Sequence, residues 1–171
     1  MKRSILFIVA LLAICTAANA QKFALIDMEY ILKNIPAYER ANEELNKASQ
    51  NWMDEVEKLS QEAQTLYQDY QSNGQKLTAA QKTAKENAIV EKEKSAAELR
   101  RAYFGPEGEL SKKRNELMQP IEDEIYNAVK EIATQKGYAA VIDRASATSI
   151  IFATPSIDIS NEVLAKLGYS N

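Results

Sequence analysis

The residue types that carry most enzyme chemistry are nearly missing from this chain. Its 171 residues include no His and one Cys, Cys15. A Cys/His zinc site, a Ser-His-Asp triad and a Cys-His pair are therefore excluded, and so is a disulfide framework. What remains for acid–base chemistry is carboxylates. Asp27, Glu29, Asp143 and Asp158 are the acids that could suggest such chemistry near the two chain ends, which read as one body. Paired carboxylates can serve as general acid and base, but each of these four sits at a strand end or a helix start. There a carboxylate caps free backbone N–H groups, and capping is the role their positions predict. No acid cluster has the spacing of a metal site. The sequence points to a protein that is not an enzyme and takes no cofactor. With 21 Lys and Arg against 24 Asp and Glu, its net charge of −3 also argues against nucleic-acid binding.

The first twenty residues read as an address. Lys2 and Arg3 precede an apolar run, Ile5 to Ile14, and Ala18-Asn19-Ala20 is a small-x-small cleavage site. This is the pattern of a secretory signal peptide over 1–20. The run is shorter than the roughly 20 residues a membrane span needs, and Ile14 before Cys15 disfavours lipidation. Cleavage after Ala20 leaves a chain of net charge −5 with no Cys, working outside the cytoplasm without disulfides.

Three short apolar runs then read as strands: Phe23 to Asp27, Tyr138 to Asp143 and Ser149 to Ala153. Each is apolar on both faces, so each needs cover on both faces. Helices can supply one side, and another subunit is the simplest cover for the other. Arg144 to Thr148 reads as a polar connection. A short final helix carries Ile159, Val163, Leu164 and Leu167, with Asp158 or Ser160 as its cap and Gly168 as its end.

Between these ends lies a long helical excursion. Pro36 suits a first helical turn, and Ala37 to Ser72 contains no Gly or Pro. Leu45, Ala48, Trp52, Val56, Leu59, Ala63, Leu66 and Tyr70 follow steps of three and four, a coiled-coil seam with one slip. Asn73-Gly74 breaks the helix, and Thr78 with Gln81 matches a capping box. The return helix places Leu77, Ala80, Ala84, Ala88, Ala96, Leu99 and Tyr103 at compatible spacing, which predicts an Ala-rich seam. Phe104-Gly105-Pro106-Glu107-Gly108 interrupts it. The pattern resumes at Leu110, Leu117, Ile121, Ile125, Ala128 and Ile132, with Pro120 as an expected bend and Gly137 as an end. The fold class is α+β and mostly helical: a small β-body with a long antiparallel α-helical hairpin arm. The expected organisation is a signal peptide at 1–20, a body of 21–36 and 113–171, and an arm of 37–112.

This order resembles the Skp/OmpH family of periplasmic chaperones. The segments that carry the likeness are Phe23-Ala24-Leu25-Ile26-Asp27-Met28-Glu29, Phe104-Gly105-Pro106-Glu107-Gly108-Glu109-Leu110, Leu117-Met118-Gln119-Pro120-Ile121 and Gly137-Tyr138-Ala139-Ala140-Val141-Ile142-Asp143, followed by Asp158-Ile159-Ser160. The resemblance implies a periplasmic homotrimer whose strands form a small central barrel. Three arms would hang from it around a cavity that holds unfolded outer-membrane β-barrel proteins without ATP. On that reading Phe23, Leu25, Val141, Ile150 and Phe152 form the oligomer core. Tyr67, Tyr103, Phe104, Lys76, Lys82 and Lys85 contact clients, and Gly105, Pro106 and Gly108 form an arm hinge. Family members are often basic, whereas the arm from Leu45 to Gly105 carries nine Lys or Arg and nine Asp or Glu. That balance implies at most weak contact with lipid or lipopolysaccharide. The same sequence fits a rival role, a structural coiled-coil adaptor or spacer of the cell envelope that binds a folded partner.

Overall fold

The structure, a computed structural model, describes residues 22–147 and 149–169. The signal-peptide segment lies outside them. The elements in chain order are β1 (Lys22–Ile26), α1 (Met28–Lys33), α2 (Pro36–Asn73), a 3-10 turn (Gly74–Lys76), α3 (Ala79–Phe104), α4 (Glu109–Lys136), β2 (Tyr138–Asp143), a second 3-10 turn (Pro155–Ile157) and α5 (Ser160–Lys166). The described residues fall into two compact units. One holds those up to Asn34 and from Ile125 onward; the other is Ile35–Glu124.

The first unit is the β-body. β1 and β2 pair in parallel, with Ala24 opposite Val141 and Ile26 opposite Asp143. A parallel pair needs a crossover rather than a hairpin, and the whole arm serves as that crossover. β1 turns Ala24, Leu25 and Ile26 into the core. Ile125, Ala128 and Ile132 recur every three to four residues on α4, so one helical stripe is buried. Ile31, Ile125 and Val163 are the largest fully buried side chains, and each contributes about 1.5–3 kcal/mol of transfer free energy. Two ion pairs join α4 to α5: Lys136 to Glu162 and Lys166 to Glu131, both at 2.6 Å. Gly137 and Gly168 hold φ of 69° and 84°, the left-handed conformation that ends a helix at low steric cost. At Gly168 the motif is complete: its N–H donates to the Ala165 carbonyl, and Tyr169 N–H donates to the Leu164 carbonyl.

The expected third strand does not form. Ser149 to Ala153 has no strand hydrogen bonding, and the second side of β1 is met instead by Asp158, which bridges Leu25 in parallel. Ile159 N–H donates to the Leu25 carbonyl at 2.9 Å. Within one chain that bond occupies the position a neighbouring strand would need, so the apolar run before it has no ladder to join. Ile151 and Phe152 are left exposed.

The second unit is the hairpin. α2 has 38 residues, about 57 Å at 1.5 Å per residue. Pro36 opens it with no side-chain cap, as suits a residue with fixed φ and no N–H to satisfy. Every residue of the expected α2 seam is buried or half-buried. The capping box forms as expected: Gln81 N–H donates to Thr78 Oγ1, and Thr78 N–H donates to Gln81 Oε1. The seam of α3 differs from expectation. Ala80, Ala84 and Ala88 are exposed, and Lys82, Lys85, Ile89 and Lys92 line the contact in their place, leading into the expected Ala96, Leu99 and Tyr103. Those residues keep a strict alternation of three and four. The lysines fit because their methylene stems cover apolar surface while the ammonium reaches outward. α4 runs unbroken through Pro120.

Candidate functional site

Three features of the two units bear on function. The first is a polar knot in the body. Asp27 Oδ1 accepts from Tyr30 N–H at 2.9 Å and caps α1, while its Oδ2 accepts from Arg144 Nη2 at 3.0 Å. Arg144 Nη1 also pairs with Asp158 Oδ2 at 3.3 Å. Ser160 Oγ donates to Asp158 Oδ1 at 2.6 Å and accepts from Asp27 N–H at 2.8 Å, so the ring closes. Ser160 is the one buried polar residue among those described. Asp143 Oδ1 accepts from Met28 N–H and Ala145 N–H. The Tyr30 N–H holds the Asp27 carboxyl below its ordinary value, with Arg144 adding to it. Burial pushes the Asp143 carboxyl up, but the N–H groups of Met28, Ala145 and Ser146 and the Ser146 hydroxyl outweigh it, so it also lies low. These acids cap backbone groups, as their positions predicted; Glu29 instead pairs with Lys33 at 2.5 Å. Arg144 was not singled out by sequence, and Ser160 was expected only as a cap of α5, whose cap position is taken by Ile159. Both stand in polar stretches, and only the fold brings them to Asp27.

The second feature is the outer face of the body. Phe23 is 48% exposed and Phe152 82% exposed, with Ile142 and Ile151 also open. Val141 and Ile150 are half-buried, and Leu25 is packed in the chain's own core.

The third is the arm. Polar contacts step along it in antiparallel register: Glu44 with Lys113, Glu55 with Tyr103, Glu62 with Lys92, Asp69 with Lys85 and Glu86 with Tyr70. The register holds on both sides of the Gly105–Gly108 break. Lys92 holds the Glu62 carboxyl low, and Lys85 does the same for Asp69. Tyr103 stacks on Trp52 with ring centroids 5.2 Å apart, and Phe104 meets Tyr103 edge-on at 6.4 Å. Tyr67 stands half exposed, Lys76 is exposed and Lys82 half-buried. At the break, Gly108 N–H donates to the Gly105 carbonyl at 2.9 Å. A Cβ on Gly105 would lie 2.4 Å from the Arg101 carbonyl oxygen, and one on Gly108 would lie 2.6 Å from that of Tyr103. The two glycines are therefore demanded by close backbone approach.

Among the described residues no three acidic side chains gather as a metal-binding group, and no helix is long and apolar enough to cross a membrane. A Chaperone protein Skp of Yersinia enterocolitica is 26% identical over 156 residues, covering 91% of this chain and 92% of the relative. One of Yersinia pestis is 27% identical over 159 residues, covering 92% of each chain. The crystal structure of an OmpH-like protein of Caulobacter crescentus superposes with a TM-score of 0.69 at 10% identity, covering 88% of this chain and 86% of that one. The family model described as Outer membrane protein (OmpH-like) matches residues 22–167, and on that match the chain belongs to the OmpH-like family.

Proposed function

We propose that the protein is an ATP-independent periplasmic holdase, delivered by a cleaved signal peptide. It binds unfolded outer-membrane β-barrel proteins between helical arms and keeps them from aggregating. The observation that carries this reading is the arm itself. It is a hairpin of long helices that leaves Met53, Tyr67 and Val90 exposed along its length, in a chain matched over nine-tenths of its length by chaperones. Side chains of this kind offer many weak, exchangeable contacts, strong in sum and individually forgiving. Residues 37–112 are the client-holding arm in this reading. Residues 21–36 and 113–171 are the body that assembles with two further copies, burying Phe23, Val141, Ile150 and Phe152. The neutral arm favours apolar, shape-tolerant holding over strong attraction to anionic lipid.

The experiment is promiscuity. Several unrelated barrels are unfolded in urea and diluted into the protein, and turbidity is followed. A holdase suppresses aggregation of each and ignores the same barrels once folded. An adaptor of the envelope binds one folded partner and leaves the unfolded barrels to precipitate.

A further inference from the structure

A groove of about 430 Å³ runs along the α2–α3 contact. Ala63 and Tyr67 of α2 and Glu93, Ala96, Ala97 and Arg100 of α3 line it. The volume falls in the range of about 300–1,000 Å³ typical of ligand clefts. Its cause is small side chains: Ala63 and Ala96 close the seam beneath, and Ala97 leaves the wall low. Glu93 to Arg100 spans about 10 Å of helix, the length of about three residues of extended chain.

The polar groups around this groove are not drawn into the contacts that cross the seam. Lys85, Lys92, Glu55, Glu62 and Asp69 are all engaged across the seam. Among the described residues, the Tyr67 hydroxyl, the Glu93 carboxylate and the Arg100 guanidinium have no hydrogen-bond or ion-pair partner. A free guanidinium and a free phenol ring thus flank a shallow apolar floor. A guanidinium is attracted to the negative face of an aromatic ring, and a second ring gains from offset or edge contact with Tyr67. An aliphatic side chain gains only area there.

We infer that this groove is a subsite for an aromatic side chain in an extended, unfolded segment. Arg100 and Tyr67 flank the ring, and the Glu93 carboxylate accepts a backbone N–H of the segment. The inference rests on the holdase reading and gives it a preference among side chains. Barrel strands bring aromatics in quantity, because they carry girdles of them at both membrane interfaces.

The test uses the full mature chain and labelled twelve-residue Gly/Ser peptides that differ only at the central residue: Phe, cyclohexylalanine or Glu. Cyclohexylalanine has the bulk of Phe without its π face. Fluorescence anisotropy should show the Phe peptide binding about fivefold tighter than the cyclohexylalanine peptide. Arg100→Gln and Tyr67→Leu should each shrink that ratio towards one, and Ala97→Trp should weaken the Phe peptide by filling the groove. All three positions are exposed, and circular dichroism checks that each variant keeps its helices. Equal binding of the Phe and cyclohexylalanine peptides overturns the subsite, as does tightest binding of Glu or a ratio that survives both substitutions. The same preparation is tested against a urea-unfolded barrel. If the barrel is held while the peptides show no preference, the subsite alone is lost. If the barrel precipitates, the holdase reading beneath it is lost.

Discussion

Replacing Arg144 with Ala should loosen the junction where the two ends of the chain meet. Arg144 bonds Asp27 at 3.0 Å and Asp158 at 3.3 Å, and without it two carboxylates face each other across the gap. A hydrogen bond to a charged group is worth about 1.5–3 kcal/mol. The Arg144 side chain is 50% exposed, so solvent screening reduces the total for both contacts to about 1–2 kcal/mol. For a chain of this length that is a fall in Tm of about 2–8 °C, read at matched protein concentration because assembly shifts Tm. The pH dependence gives a second reading. Asp27 is depressed below its ordinary 3.8 in the folded state. Its contribution is therefore present above that value and lost as pH falls through the folded one. Without Arg144 part of the depression disappears, and the acid transition moves to higher pH. Arg144→Lys should recover less than half, since one ammonium lacks the fork that reaches both carboxylates. Thermal melts at pH 7 and acid titrations by circular dichroism measure both effects. An unchanged Tm and an unchanged acid midpoint in Arg144→Ala would refute the knot as a fastener.

Further expectations concern the arm and the body's outer face. Gly108→Ala places a Cβ 2.6 Å from the Tyr103 carbonyl oxygen, so the backbone must shift at a cost of about 1–3 kcal/mol; limited proteolysis near residues 104–109 should speed up, and unchanged cleavage speaks against the close-packed break. Lys92→Glu sets two carboxylates together where Glu62 now meets an ammonium at 2.6 Å. Amide exchange in the neighbouring turns should quicken, and Glu62→Lys in the same chain should restore it; failure of the reversed pair to rescue contradicts the register. Phe152→Ser should leave helicity intact, since that ring is 82% exposed, while sedimentation velocity shows weakened self-association. An unchanged sedimentation coefficient removes Phe152 from the assembly surface.

The parts of the fold that were legible in the sequence are those set by local rules. The α2 seam could be read because its apolar residues alone keep the spacing, and Thr78 with Gln81 could be read because a capping box needs only four residues. The Gly105–Gly108 break was legible from composition, although the reason for two glycines, backbone against backbone, appears only in the fold. The first half of the α3 seam was misread because Lys82, Lys85 and Lys92 count as polar in any periodicity, and Ala80, Ala84 and Ala88 drew the pattern to the wrong face. Asp69 and Glu62 on α2, the partners of Lys85 and Lys92, were the available signal, but pairing them requires the hairpin register. The run at Ser149–Ala153 was read as a strand from composition. Whether such a run becomes one depends on a neighbour, and within the chain Asp158 and Ile159 take that place beside β1. Arg144, and the bond between Ser160 and Asp27, were missed for the same reason: the partners are distant in sequence. Tyr67 was visible as an aromatic beside the seam, but nothing in the spacing joins it to Arg100.

The central claim is that several copies of this chain hold an unfolded barrel between their arms. It is tested most directly by light scattering behind size exclusion on the mature chain, alone and after rapid dilution of a urea-unfolded outer-membrane barrel into it. The account predicts the mass of a trimer alone, and of a trimer with one soluble barrel after mixing. A monomer or dimer, or a trimer beside which the barrel precipitates, would contradict it.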